Sequence, residues 1–516
     1  MKNIILDGNS LTLEQIKLFL NENREIEISH SALKKIEKCR LYVEEKIKSE
    51  NPLYGINTGF GMLASKRISD ADLEKLQENL IVSHAAGIGE YIQDDLARLI
   101  MLLRANVLAK GYSGIKSGTL QTLVNIINSG IVPLIPIQGS VGASGDLCPL
   151  AHVALTLIGK GKVRYKSKII NAMEALSDAG ISPVSLAPKE GIALINGTQA
   201  MAAFFANAVI KAERLIKLAD ISGALSLEGD MGSEKPFDEK IHKIRPHPGQ
   251  LATASNIRKL IHNSEIVKSH KNCKRVQDPY CFRCIPQVHG AVKDAFKYAK
   301  SVIEREINSC TDNPLVFFED DEILSGGNFH GEPLAIAMDL LAMAIAELAS
   351  ISERRVAILL SPLEGELPQK YLVENPGLNS GLAPMHVTMA AIVSENKTLC
   401  HPACVDTIPT FAGQEDHVSM GMWGATKLNR IIDNVEKVIA MELIAGSQAI
   451  DLGNRLNNKE NKPGSGVAKA YSKVRELISY LDVDRQIYMD IEKAYDLVKH
   501  GDIIESVESA VGELLI

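Results

Sequence analysis

The sequence predicts a mainly α protein. Apolar residues recur at i, i+3, i+4 and i+7 through residues 192–227, 288–308, 333–360, 383–399 and 422–452, the period of helices that bury one face or more. The alternation expected of strands is confined to residues 163–170, which read as a small hairpin. The third observation is composition: 46% hydrophobic and 23% charged residues, with 38 Gly and 20 Pro in 516, is the make-up of a folded globular chain.

Along the chain, the first apolar run is stopped by Asp7 after three residues, too short for the core of a signal peptide. Helical spacing governs residues 31–48 and 70–109. Between them Tyr54-Gly55-Ile56-Asn57-Thr58-Gly59-Phe60-Gly61 reads as a loop. Residues 130–149 carry Pro133, Pro136, Gly139, Gly142, Gly145 and Pro149, which forbid a continuous helix. The helices after Pro188 are long, and residues 334–348 are apolar around most of the circumference, as expected of a helix buried in a large bundle or between subunits. The same stretch of chain holds Asp339, Glu347, Glu353, Arg354 and Arg355, which a bilayer-spanning helix would not tolerate. With no repeat or linker to mark a boundary, a division near residue 200 is the best the pattern allows, giving regions 1–200 and 201–516.

Lys and Arg number 56 against 63 Asp and Glu, a net charge of −7 without long runs of one sign. Neither nucleic acid nor an acidic membrane surface is therefore an expected partner. Eight scattered cysteines in a chain too large to need staples suit a reducing cytoplasm.

Chemistry concentrates in irregular islands. Gly142-Ala143-Ser144-Gly145-Asp146 surrounds one alanine with small residues, and Gly145 offers the least hindered amide nitrogen a chain can supply. Attack of that nitrogen on the Ala143 carbonyl, with loss of water from the ring and from Ser144, would give a five-membered ring bearing a methylidene electrophile. Taken alone, the tripeptide reads as a tight turn before a helix capped by Asp146. Gln277-Asp278-Pro279-Tyr280 is followed by Arg283, and if helical the phenol and guanidinium share a face, with Arg283 suited to gripping a carboxylate. Asn196-Gly197-Thr198-Gln199, Gly326-Gly327-Asn328-Phe329-His330 and Gln414-Glu415-Asp416-His417 are further polar islands.

Taken in order, these islands, with the Tyr54 loop and Ser394-Glu395-Asn396-Lys397, make the chain resemble the aromatic amino acid lyase family over nearly its whole length. Within the family it is most similar to the bacterial histidine-specific branch. Ser83-His84 stands where the tyrosine-specific branch has His-Leu and the phenylalanine-specific branch Phe-Leu, and Glu415 stands where the phenylalanine-specific branch has Gln. Thr410-Phe411-Ala412-Gly413-Gln414 departs from the usual Thr-Ser-Ala-Asn-Gln, as does 381–386, and Phe411 and Gly413 lie where they can reshape the pocket.

The resemblance implies an elongated helical bundle core with a smaller N-terminal region carrying the prosthetic-group loop, assembled as a homotetramer whose sites combine residues from three subunits. It implies elimination of ammonia from L-histidine to give urocanate, the first step of histidine degradation, through a covalent adduct with a methylidene-imidazolone formed autocatalytically from Ala143, Ser144 and Gly145. In this reading Tyr54 removes the β-proton, Asn196 polarises the ring carbonyl, and Arg283 binds the substrate carboxylate. Tyr280 and Gln277 orient the substrate, Phe329 lines the ring side, and His84 and Glu415 hold the imidazole. A free tyrosine ionises near pH ~10, so a positive environment is expected at Tyr54. The amine must be unprotonated, so an alkaline optimum is expected. The alternatives are a tyrosine or phenylalanine ammonia-lyase, an aminomutase of the same family, or a non-catalytic helical oligomer. No metal is expected, since Cys281-x2-Cys284 brackets Arg283 and Cys400-His401-x2-Cys404 lies far along the chain. His152, His289 and His401 sit among apolar residues and read as structural.

Overall fold

The computed structural model describes residues 3–22, 24–48, 53–59, 66–270, 275–361 and 370–516. Phe60 and Gly61 of the Tyr54 loop and Cys273 fall outside them. Helices dominate as expected, among them Ile285–Glu306, Glu332–Leu360, Ala383–Leu399 and Gly421–Leu456. Strands are short and few: Lys162–Tyr165 and Lys168–Asn171 form the expected hairpin, with Val163 opposite Ile170. Its turn residues, Lys166 and Ser167, both have left-handed backbone, which suits the twist of a two-residue hairpin turn.

Two readings of helical spacing ran too far. Residues 70–109 divide into a helix Leu73–His84, a strand Ile88–Tyr91 and a helix Asp94–Ala109. Ala85 leaves the helical region at φ −78° and ψ 61°, and Gly89 sits at φ +94°. Residues 192–227 divide into Glu190–Ile195 and Gln199–Gly229 at Asn196-Gly197-Thr198. At 196–198 apolar periodicity continues across the break because the flanking helices are buried on several sides, so spacing alone does not register it.

The chain forms two compact units. The first comprises Met1–Asn207, Lys300–Asp339 and Pro402–Thr426, and the second Ala208–Ala299, Leu340–His401 and Lys427–Ile516. Two late segments thus belong with the N-terminal region in the first unit, where the linear division at residue 200 puts them with the long helices.

In the first unit, Ile56 of the Tyr54 loop packs into a buried cluster with Cys39, Val43 and Val316, which anchors the loop beside the helix His30–Ile47. The helix Asp94–Ala109 is buried from Leu96 onward and carries the fully buried Arg104. That guanidinium donates to the carbonyl oxygen of Asn196 (2.9 Å), to Gln199 Oε1 (2.7 Å) and to the Ala193 carbonyl. These bonds supply the carbonyl acceptors at a helix break with donors they would otherwise lack. From the other side, Thr198 Oγ1 donates to Glu306 Oε1 (2.5 Å).

In the second unit, Glu442 is fully buried and accepts from Arg355, Ser222, Ser226 and Ser352. Burial works against its ionisation, but the Arg355 charge and these bonds hold its carboxyl below the ordinary glutamate range. His289 pairs with Asp220 at 2.8 Å, both fully buried, and is structural as expected. His401 is exposed in the single chain.

Candidate active site

The Ala143-Ser144-Gly145 loop joins the strand Pro136–Gln138 to the helix Leu147–Leu157. Gly145 has φ +70°, and a Cβ there would stand 2.3 Å from the Gly197 carbonyl oxygen, so only glycine fits. Asp146 sits at the helix N-cap but does not cap it. Its backbone N–H donates to the Gly197 carbonyl (2.7 Å), and its side chain accepts from Ser140 Oγ (3.0 Å) and the Met201 N–H (2.8 Å). Complete burial pushes the carboxyl up to about 7 despite these donors. Ser419 Oγ donates to the Gly142 carbonyl at 3.1 Å, and the Met420 N–H to Val141 at 2.8 Å. The loop is thereby held from both the Asn196 break and the 418–421 segment.

Asn196, at the break pinned by Arg104, donates from Nδ2 to the Ser144 carbonyl at 3.2 Å. Its Oδ1 is buried and has no hydrogen-bond partner among the described residues. Ser144 Oγ donates to Glu415 Oε1 at 2.8 Å, and Thr410 Oγ1 donates to Glu415 Oε2 at 2.5 Å. His84 closes its helix with Nδ1 directed at the Leu80 carbonyl (2.8 Å), so Nδ1 carries the proton and Nε2 keeps its lone pair. Burial lowers the His84 pKa, outweighing the Leu80 bond and the Glu415 charge, which raise it.

A cavity of about 480 Å³ brings together Tyr54, His84, Ala143, Ser144, Asn196, Phe329 and Glu415. Seven residues drawn from six separate islands thus share one space, and all belong to the first unit. Gly145 lies in the wall of an adjacent cavity of about 510 Å³ that shares His84, Ser144, Phe411 and Glu415. Gln277, Tyr280 and Arg283 belong to the second unit and do not line this cavity. There Tyr280–Arg283 forms one helical turn with the Arg283 guanidinium 4.4 Å from the Tyr280 ring, so the two do share a face. Asp278 fixes the approach to that turn by accepting from the Ser233 N–H (2.7 Å) and Arg275 (3.1 Å).

Sequence reasoning missed several contributors. Thr410 clamps Glu415, and Asn313 Oδ1 accepts from the Gly326 N–H (2.8 Å), fixing the loop that carries Phe329. Neither has a local signature. Arg104 had one, a lone cation within the apolar run from Leu99 to Leu108. His330 Nε2 donates to the His417 carbonyl (3.1 Å) and its Nδ1 accepts from the Glu332 N–H (3.3 Å), so it is a brace at the cavity edge.

The sequence matches the family described as aromatic amino acid lyase over residues 11–476. The chain belongs to the aromatic amino acid lyase family. A histidine ammonia-lyase of Myxococcus xanthus is 47% identical over 507 residues, 98% of this chain and 99% of that protein. The crystal structure of histidine ammonia-lyase from Trypanosoma cruzi superposes with a TM-score of 0.91 at 41% identity, covering 99% of this chain and 96% of that one. Tyrosine aminomutase from Streptomyces globisporus superposes with a TM-score of 0.92 at 35% identity, covering 100% of each chain. Fold similarity therefore does not separate these two activities.

Members of the family imply a prosthetic group, and the residues of this member fit it. The Gly145 position excludes any Cβ, the Ser144 hydroxyl faces a carboxylate, and Asn196 presents an amide donor to the Ser144 carbonyl with its own carbonyl unsatisfied.

Proposed function

We propose that the chain is a histidine ammonia-lyase that converts L-histidine to urocanate and ammonia. One observation carries the choice of substrate: His84 and Glu415 stand in the same cavity as Ala143 and Ser144. Neutral His84 offers a lone pair and Glu415 a carboxylate. A neutral imidazole supplies an N–H to this pair, whereas a phenyl ring supplies no donor and would cover both half-buried acceptors without bonding to either, which is a basis for rejection.

When formed from Ala143, Ser144 and Gly145, the methylidene-imidazolone supplies an electrophile for the substrate amine and needs no metal. The remaining work belongs to side chains. Asn196 Nδ2 holds the carbonyl oxygen of Ser144 and so drains charge from the group built there. Arg283 binds the substrate carboxylate, and Tyr280 and Gln277 orient the substrate beside it. In a homotetramer these three come to the cavity from other subunits. Tyr54, in the cavity wall, takes the β-proton at Oη, and Phe329 lines the ring side. By this reading the reaction belongs to histidine catabolism and the protein to the cytoplasm.

Support for the oligomer comes from the helix Glu332–Leu360. Ile336 and Met343, seven residues apart on one stripe, remain 47% and 41% exposed in the single chain although the rest of the helix is largely buried.

Ultraviolet detection of the conjugated acid, with ammonia measured alongside, tests the proposal. Purified protein given histidine should release urocanate and ammonia in equal amounts, faster as pH rises above neutrality, and Ser144→Ala should release neither. A β-amino acid formed without free ammonia would instead establish an aminomutase.

A further inference from the structure

The structure gives the Phe411 ring a place beside His84. Its plane stacks on the His84 imidazole, with centroids 5.9 Å apart and planes inclined by 25°. It lines both the 480 Å³ cavity and the adjacent 510 Å³ cavity, as do His84, Ser144 and Glu415. The ring therefore stands at the imidazole end of the site, in the wall the two cavities share.

The turn that carries Phe411 is built at a conformational cost. Phe411 and Ala412 have φ of +46° and +55°, a region that side chains with a Cβ rarely enter, and Gly413 follows at +88°. Such a run persists only where its surroundings over-determine it. Here they do: the Thr410 N–H donates to the Glu415 carbonyl (3.0 Å), the Glu415 N–H to the Thr410 carbonyl (3.4 Å), and the Thr410 hydroxyl to the Glu415 carboxylate (2.5 Å). The residues that position Glu415 are the same ones that force Phe411 over His84.

We infer that Phe411 is a specificity-determining residue for the imidazole end of the substrate, acting as a positioning residue: its ring, itself half exposed, fixes the plane of His84, so that His84 and Glu415 are pre-set for a nitrogen heteroaromatic ring. This rests on the functional reading above. It adds that ring selection in this member is made by a His84–Phe411 stack as well as by hydrogen bonds. A stacked aromatic pair of this kind corresponds to roughly a 3- to 10-fold effect on binding.

The test uses imidazole itself as probe, measured by calorimetry on the full-length protein, together with steady-state kinetics on histidine. Phe411→Ser should weaken imidazole binding about 3- to 10-fold and raise KM for histidine by a similar factor, with kcat changed by less than about twofold. Phe411→Tyr, which keeps the stacked ring, should restore both. Thermal melts of the two variants separate a binding defect from a folding defect, and Phe411→Tyr is read at equal folded fraction. Equal imidazole affinity in the wild type and Phe411→Ser, or a Phe411→Tyr no tighter than Phe411→Ser, would overturn the inference. Absence of urocanate in the wild type would strike the functional reading alone, because the imidazole measurement does not depend on turnover.

Discussion

At the scale of single residues, the site depends on a few atoms that tolerate no substitute. Gly145 shows this most sharply. Alanine there would place its Cβ 2.3 Å from the Gly197 carbonyl oxygen at a backbone φ of +70°. The expected result of Gly145→Ala is a protein about 1–3 kcal/mol or more less stable, and one whose intact mass shows no loss of two waters. A variant that still loses two waters would show that the loop need not sit against Gly197. Residues of this class were legible in the sequence because their chemistry is written in the residue type: a Gly-flanked Ala-Ser, an Asn-Gly break, a Ser-His pair. Thr410 and Asn313 were not legible, because an ordinary side chain that only braces a neighbour leaves no local pattern. Asp146 was legible but misassigned, since a helix-capping aspartate and one bonded to a distant backbone N–H look alike in one dimension.

At the scale of elements, a helix broken by design holds the site. The Glu190–Ile195 and Gln199–Gly229 helices are separated by three residues, and Arg104 from a neighbouring helix ties the break by donating to the Ala193 and Asn196 carbonyls and to Gln199 Oε1. Arg104→Met keeps much of the apolar stem and removes every donor, leaving several buried acceptors without partners. A loss of roughly 3–5 kcal/mol is expected in urea denaturation, with impaired ring formation in whatever protein folds. Wild-type stability in this variant would mean that the break is held by Thr198 and Gly197 alone. Helix existence and position were read well from periodicity where one face is apolar, as in Ala383–Leu399, whose bounds agree with the sequence reading. Interruptions were read poorly. A helix buried on several sides keeps its apolar spacing through a break, and only local residue types gave warning, Asn-Gly at 196–197 and the glycines at 87 and 89.

At the scale of the whole molecule, long helices that are apolar nearly all round leave stripes the single chain does not cover. Ile336→Glu combined with Met343→Glu should shift the proposed tetramer to smaller species in light scattering and lower its activity, since charge on such a stripe opposes association. A tetramer unaffected by both changes would place the subunit contacts elsewhere. The division into two units was the least legible property, because the segments 300–339 and 402–426 return to the N-terminal unit from far along the chain and no linker announces it.

The central claim is that an aromatic amino acid lyase scaffold is here set for an imidazole by His84 and Glu415. Its most direct test is kcat/KM for histidine, tyrosine and phenylalanine, measured side by side on one preparation of the purified protein. Histidine should exceed the other two by roughly 10⁴-fold or more, the discrimination expected when a hydrogen-bonding pocket meets a ring that lacks its groups. Comparable values for histidine and either of the others, or a preference for tyrosine or phenylalanine, would contradict it.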